Sequence, residues 1–156
     1  MPATPFMELD KLDLNHIVAD HDKIYSILPH RYEFERLTAI VHMDDMSVAG
    51  YHDVGHDEFW VKGHIPGRPL FPGVMMIETA AQLVSYHALV HTSGRSGFLG
   101  FAGVDGVKFR DSVLPGQRLV MLAKMVEFRP RRCTADTQGF VDGKMVFEGR
   151  ITGMWL

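Results

Sequence analysis

Gly73-Val74-Met75-Met76-Ile77-Glu78-Thr79-Ala80-Ala81-Gln82-Leu83-Val84-Ser85-Tyr86-His87-Ala88-Leu89-Val90-His91 decides the architecture. Its spacing predicts a helix from Gly73 or Val74 to about His91, with Gly94 placed to end it. Ala80, Ala81, Leu83, Val84, Ala88 and Leu89 spread over broad faces, so the helix is apolar almost all round. Such a helix has to be wrapped. The residues that follow can do so: 98–109, 117–128, 132–141 and 144–154 all read as strands. Pro115-Gly116, Arg129-Pro130-Arg131 and Asp142-Gly143 mark the turns, the last a strong hairpin signal. Upstream, 38–42 and 46–54 read as strands, and 58–62 as a short strand leading into a loop. Residues 14–28 show a partly helical pattern closed by Pro29. Residues 1–14 carry little pattern and are expected to be loose. The pattern as a whole predicts an α+β fold, an antiparallel sheet curled round one long helix, although a two-layer α/β sandwich would fit it too.

Length and composition narrow the class. A chain of 156 residues predicts a single domain, 1–156, with a core large enough to fold alone. Its 46% hydrophobic and 22% charged residues are ordinary for a globular protein and argue against disorder. No apolar run is long enough to cross a bilayer, and the first residues do not read as a secretory signal. The single cysteine, Cys133, forbids an internal disulfide and reads as a small apolar residue in a strand. A reducing, cytoplasmic setting fits. The net charge of −3 is uneven: residues 1–94 hold 6 basic and 13 acidic side chains, residues 95–156 hold 10 and 6. The second half could therefore offer a basic patch to an acidic partner. Nucleic acid is not indicated, because no basic stripe with interleaved aromatics appears.

The loop before the helix carries the chemistry. Gly63-His64-Ile65-Pro66-Gly67-Arg68-Pro69-Leu70-Phe71-Pro72-Gly73 sets three prolines and three glycines around an imidazole, and Glu78 follows in the helix. Prolines fix φ and glycines reach conformations that other residues avoid, so the loop is heavily constrained. An imidazole, a carboxyl and a helix N-terminus together are the parts of an acid/base site. The spacing turns Glu78 toward Gln82 rather than toward water. A metal reading of His52-x-x-x-His56 fails, since Gly50 and Gly55 argue against a helix there and no His-Glu-x-x-His motif exists.

Gly-His-x-Pro-Gly-x-Pro-x-x-Pro-Gly-Val-x-x-x-Glu at residues 63–78 resembles the signature of the β-hydroxyacyl-[acyl carrier protein] dehydratases. Further matches follow in order along residues 24–154: Leu28-Pro29-His30-Arg31-Tyr32, Ala80-Ala81-Gln82, Phe101-Ala102-Gly103-Val104-Asp105 with Lys108-Phe109-Arg110, Val113-Leu114-Pro115-Gly116, and Val141-Asp142-Gly143-Lys144. The chain departs from the family pattern at Glu33 (usually proline), Thr38 (usually acidic), Trp60 (usually phenylalanine) and Ile65 (usually aromatic), none of which is the acid/base pair.

The resemblance implies the hot-dog fold, paired into a homodimer with a continuous sheet; relatives often assemble into trimers of dimers. It implies dehydration of a (3R)-hydroxyacyl-[acyl carrier protein] to the trans-2-enoyl product in lipid synthesis. His64 from one subunit and Glu78 from the other would be the catalytic pair, with the Gly73 N–H as oxyanion donor. It implies no metal and no cofactor beyond the phosphopantetheine of the carrier. The His64–Ile65 peptide is expected to be cis, as relatives can have it. Dehydratase–isomerase relatives usually carry aspartate where Glu78 stands, so plain dehydration is expected. Arg110, Arg129, Arg131 and Arg132 are candidates for docking the acidic carrier. Two other readings share the fold: an acyl thioesterase, whose relatives lack this histidine signature, and a non-catalytic acyl-binding module, which would not need His64 and Glu78.

Overall fold

Helix α2, Gly73–Val90, forms where the spacing predicts it. The structure, a computed structural model, describes residues 4–92 and 98–156; the Gly94 stop lies outside the described residues. Alternating strands and tight turns build a six-stranded antiparallel sheet from β1 (Ala39–Met43), β2 (Ser47–Asp53), β3 (Leu99–Phe109), β4 (Arg118–Phe128), β5 (Arg132–Val141) and β6 (Lys144–Trp155). Their order in the sheet is β1-β2-β4-β5-β6-β3. Asp142 (φ 50°) and Gly143 (φ 78°) both take left-handed conformations, as a two-residue hairpin between β5 and β6 requires. Gly116 (φ 91°) follows Pro115, and the Gln117 N–H closes that turn onto the Leu114 carbonyl at 3.2 Å.

The sheet curls round α2, which packs against β2, β3, β4, β5 and β6; this is the hot-dog fold. Leu83, Tyr86, Leu119, Met121 and Phe147 are buried between helix and sheet. Gly50 of β2 leaves no room for a side chain between β1 and α2. A Cβ there would lie 2.7 Å from the Ala39 carbonyl oxygen and 3.3 Å from a Leu83 methyl.

Three upstream expectations change. Within 14–28, only His21–Ile27 is helical (α1), capped by the Asp20 carboxylate on the Lys23 N–H at 2.9 Å. Val18 and Ala19 instead bond to Ile40 and cover the free edge of β1. Residues 58–62 are not a strand. They coil into turns, with the His64 N–H on the Trp60 carbonyl at 2.8 Å, because Glu58 gathers donors from several directions. Residues 4–14, expected to be loose, have defined contacts. Phe6, Met7, Leu9, Leu12 and Leu14 pack on the outer face of the sheet, over Ala39, Val41, Ala49, Tyr51, Leu122, Phe140 and Met145. Buried Gln138 ties them down, accepting from the Phe6 N–H and donating to the Thr4 carbonyl.

Among the described residues β3 pairs with β6 on one side only and lies at the sheet edge. Phe101, Val104 and Phe109 on it are 37–51% exposed. Such an edge is a ready template for a further strand. Among the described residues, no helix is long and apolar enough to cross a membrane.

Candidate active site

The glycine-proline loop holds His64 by three hydrogen bonds. Its N–H donates to the Trp60 carbonyl (2.8 Å), its carbonyl accepts from the Leu70 N–H (2.8 Å), and its Nδ1 lies 2.7 Å from the Leu70 carbonyl. A carbonyl only accepts, so Nδ1 carries a hydrogen, and in the neutral ring Nε2 keeps its lone pair. The loop closes on itself through reciprocal bonds between Ile65 and Arg68, and the Phe71 N–H anchors it to the Val113 carbonyl. The His64–Ile65 peptide is cis, as expected. His64 lies exposed on the surface of the single chain.

Below the loop sits Glu58, which sequence reading had placed in a strand. Its carboxylate accepts from Arg36 (2.6 Å), the Gly55 N–H (2.6 Å), Trp60 Nε1 (3.0 Å) and His52 (3.1 Å). Burial pushes this carboxyl up, but those hydrogen bonds, His52 foremost, outweigh it and hold the group down at about 2. Trp60 Nε1 and the Trp60 carbonyl thus join this buried cluster to the His64 backbone. His52, a candidate in the metal reading, is occupied by Glu58, and among the described residues no cluster of three or more ligating side chains exists.

Glu78 lies on α2, half-buried, where Gln82 one turn on donates to its Oε2 at 2.7 Å. His30 Nε2 stands 3.5 Å from the same oxygen. Burial pushes the His30 imidazole down, against the pull of Glu78. Glu78, His30, Gln82, Ser85, Phe101 and Thr152 are among the residues lining a narrow cavity of about 60 Å³ between α2, β3 and β6. His64 is not among its lining residues, and no hydrogen bond or ion pair joins His64 to Glu78 among the described residues. Gly73 opens α2, where the first N–H groups of a helix have no intrahelical acceptor. A Cβ on Gly73 would meet the Phe109 ring at 2.9 Å.

The candidate docking arginines divide into two places. Arg110 pairs with Glu148 at 2.7 Å, both mostly buried. Arg129 and Arg132 share Glu127 at the turn between β4 and β5, and Arg131 is exposed beside them. Cys133 is buried, and burial pushes its thiol up, away from reactivity. Sequence reading missed Glu58 and Tyr25. Only the fold brings together the partners of these two, and neither belongs to the motif.

Comparison with known proteins agrees with this geometry. Residues 28–150 match the FabA-like domain. The chain is 34% identical over 137 residues to the 3-hydroxyacyl-[acyl-carrier-protein] dehydratase FabZ of Polynucleobacter necessarius, covering 87% of this chain and 92% of the relative. The FabZ of Streptococcus mutans is 33% identical over 133 residues, covering 85% and 95%. Among solved structures, the dehydratase heterocomplex ApeI:P of Xenorhabdus doucetiae superposes with a TM-score of 0.75 at 17% identity, covering 85% of this chain and 90% of that one. Zebrafish thioesterase superfamily member 2 gives a TM-score of 0.66 at 11% identity, covering 87% and 95%; at such identities the likeness is one of fold. With its glycine-proline loop, its helix-borne carboxyl and its wrapped helix all inside the matched segment, the chain belongs to the FabA-like family.

Proposed function

We propose that this chain is a hydro-lyase that dehydrates 3-hydroxyacyl-[acyl carrier protein] in fatty-acid biosynthesis, as its FabZ relatives are named for. The observation that carries the mechanism is the 2.7 Å contact between His64 Nδ1 and the Leu70 carbonyl. With Nδ1–H committed to Leu70, the neutral ring offers Nε2 as its acceptor at the surface, on a braced loop.

Dehydration must remove a weakly acidic α-proton and expel a poor leaving group. His64 Nε2 takes the α-proton. The electron pair of that C–H bond forms the α,β double bond, and the β C–O pair leaves with the hydroxyl. Glu78 protonates the departing oxygen, releasing water. Charge that builds on the thioester oxygen meets the free Gly73 N–H at the positive end of α2. No cofactor enters, because the phosphopantetheine arm belongs to the carrier. The same pair in reverse hydrates the enoyl product.

The two catalytic groups belong to different subunits of a homodimer. Their separation within one chain and the exposed apolar edge of β3 support this arrangement. Glu78 in place of aspartate makes the reaction plain dehydration. Arg129, Arg131 and Arg132 supply a cationic face for the carrier; Arg110, committed to Glu148, contributes less. The reducing setting suggested by a lone buried cysteine fits a cytoplasmic enzyme.

Mass spectrometry of carrier-bound 3-hydroxyacyl chains of graded length, after incubation with the protein, tests the reading. Products that stay carrier-bound and lose one water support it. Free acid and deacylated carrier would identify a thioesterase, and unchanged thioester a binding module.

A further inference from the structure

Tyr25 lies on α1, ahead of residue 28 where the FabA-like match begins, and is 5% exposed. Its hydroxyl accepts from the Leu37 N–H at 2.8 Å, so its own hydrogen is free to go elsewhere, and it points at Gln82 Oε1 at 2.7 Å. The Arg36 N–H donates to the same amide oxygen at 3.1 Å. The Gln82 nitrogen meets only acceptors, the Phe34 carbonyl and Glu78 Oε2. A flipped amide would set N–H against N–H and O–H donors, and oxygen against two acceptor oxygens. Gln82 therefore has one orientation, set by Tyr25, Arg36, the Phe34 carbonyl and Glu78.

We propose that Tyr25 is a positioning residue for the dehydration: its hydroxyl holds the Gln82 amide with nitrogen toward Glu78, and so places the transferable proton of Glu78 on Oε1. This rests on the dehydratase reading. Oε2 receives the Gln82 N–H and faces His30 Nε2. Among the described residues His30 Nδ1 is buried without a hydrogen-bond partner, so the ring's hydrogen belongs on Nε2, toward the carboxylate. An oxygen that faces two donors gathers charge; the acid hydrogen belongs on the other one. Among the described residues, Oε1 has no protein donor. Burial pushes the Tyr25 phenol up, so it remains a donor at any working pH. His30 is the ionisable group that faces Glu78. The cavity residues from β3 and β6 (Leu99, Gly100, Phe101, Ile151, Thr152 and Gly153) carry none, while Glu35 and Arg36 are near Tyr25 and the His21 ring packs on it with centroids 4.9 Å apart.

Tyr25→Phe tests this. It removes one hydroxyl and leaves Gln82 less firmly held. The expected result is a fall in kcat of about three- to tenfold with KM nearly unchanged. The limb of the kcat–pH profile set by Glu78 deprotonation should move to higher pH, because the carboxylate loses part of its donor. In a Gln82→Leu background, Tyr25→Phe should cost nothing further in kcat, since both act through one contact. A titration of Glu78 by carboxyl ¹³C NMR should show the same upward movement without turnover. Lowered thermal stability with an unmoved pH limb and an unmoved Glu78 titration would make Tyr25 a packing residue and overturn the inference. Losses that multiply independently in the double variant would overturn it as well. A wild-type protein that dehydrates nothing would refute the dehydratase reading instead, and the Glu78 titration would still decide whether Tyr25 governs that carboxyl.

Discussion

A loop imidazole becomes a base when one of its nitrogens is engaged and the other is free. In the proposed mechanism Leu70 would do this for His64, and Gln82 would do the corresponding service for Glu78. His64→Ala or Glu78→Gln should lower kcat by about a hundred- to ten-thousand-fold while circular dichroism stays native. Near-normal turnover by both variants would remove the pair from the mechanism. Glu58 acts further back. Its folded-state pKa of about 2 lies below the ordinary 4.5, so its stabilisation is complete above 4.5 and fades as pH falls toward 2. Glu58→Gln should flatten the acid side of a stability–pH curve in that window. At neutral pH it should cost about 3 kcal/mol in urea melts, because buried Arg36 loses its counter-charge. Unchanged acid unfolding would show that the cluster is not what holds the loop. At this scale the sequence was legible where a motif repeats a known spacing, as around His64. Glu58 and Tyr25 stayed hidden because their roles depend on contacts between distant segments, Tyr25 with Gln82 being 57 residues apart.

Among the elements, β5 and β6 follow their sequence signals almost residue for residue, because alternation and the Asp142-Gly143 turn fix both register and ends. α2 was legible for the opposite reason: apolar on every side, it had to be enclosed. Residues 58–62 misled because an aromatic-rich run looks like a strand until its glutamate finds four donors. Residues 4–14 misled because they follow no period of their own; their apolar side chains match the outer face of the sheet instead. The packing of β2 against β1 gives a sharp test. At Gly50 a methyl group would meet a backbone oxygen, which cannot step aside. Gly50→Ala should therefore destabilise the protein by about 1–3 kcal/mol in thermal or urea unfolding. A neutral effect would mean that β1 and β2 are packed less closely there.

At the scale of the whole molecule, the uneven charge and the edge strand point outward. If the turn arginines meet an acidic carrier, reversing Arg129, Arg131 and Arg132 to glutamate should raise KM for the carrier-bound substrate and flatten its salt dependence. A small coenzyme A thioester should be turned over as before, and equal losses on both substrates would assign these arginines to the fold. The central claim is that His64 of one chain works with Glu78 of another. It is tested most directly by mixing inactive His64→Ala with inactive Glu78→Gln, once subunit exchange has been demonstrated, and measuring dehydration of a 3-hydroxyacyl carrier thioester. Random pairing makes half the dimers hybrid, each with one intact site, so activity should recover to about a quarter of wild type. No recovery above either parent after exchange would contradict the shared site.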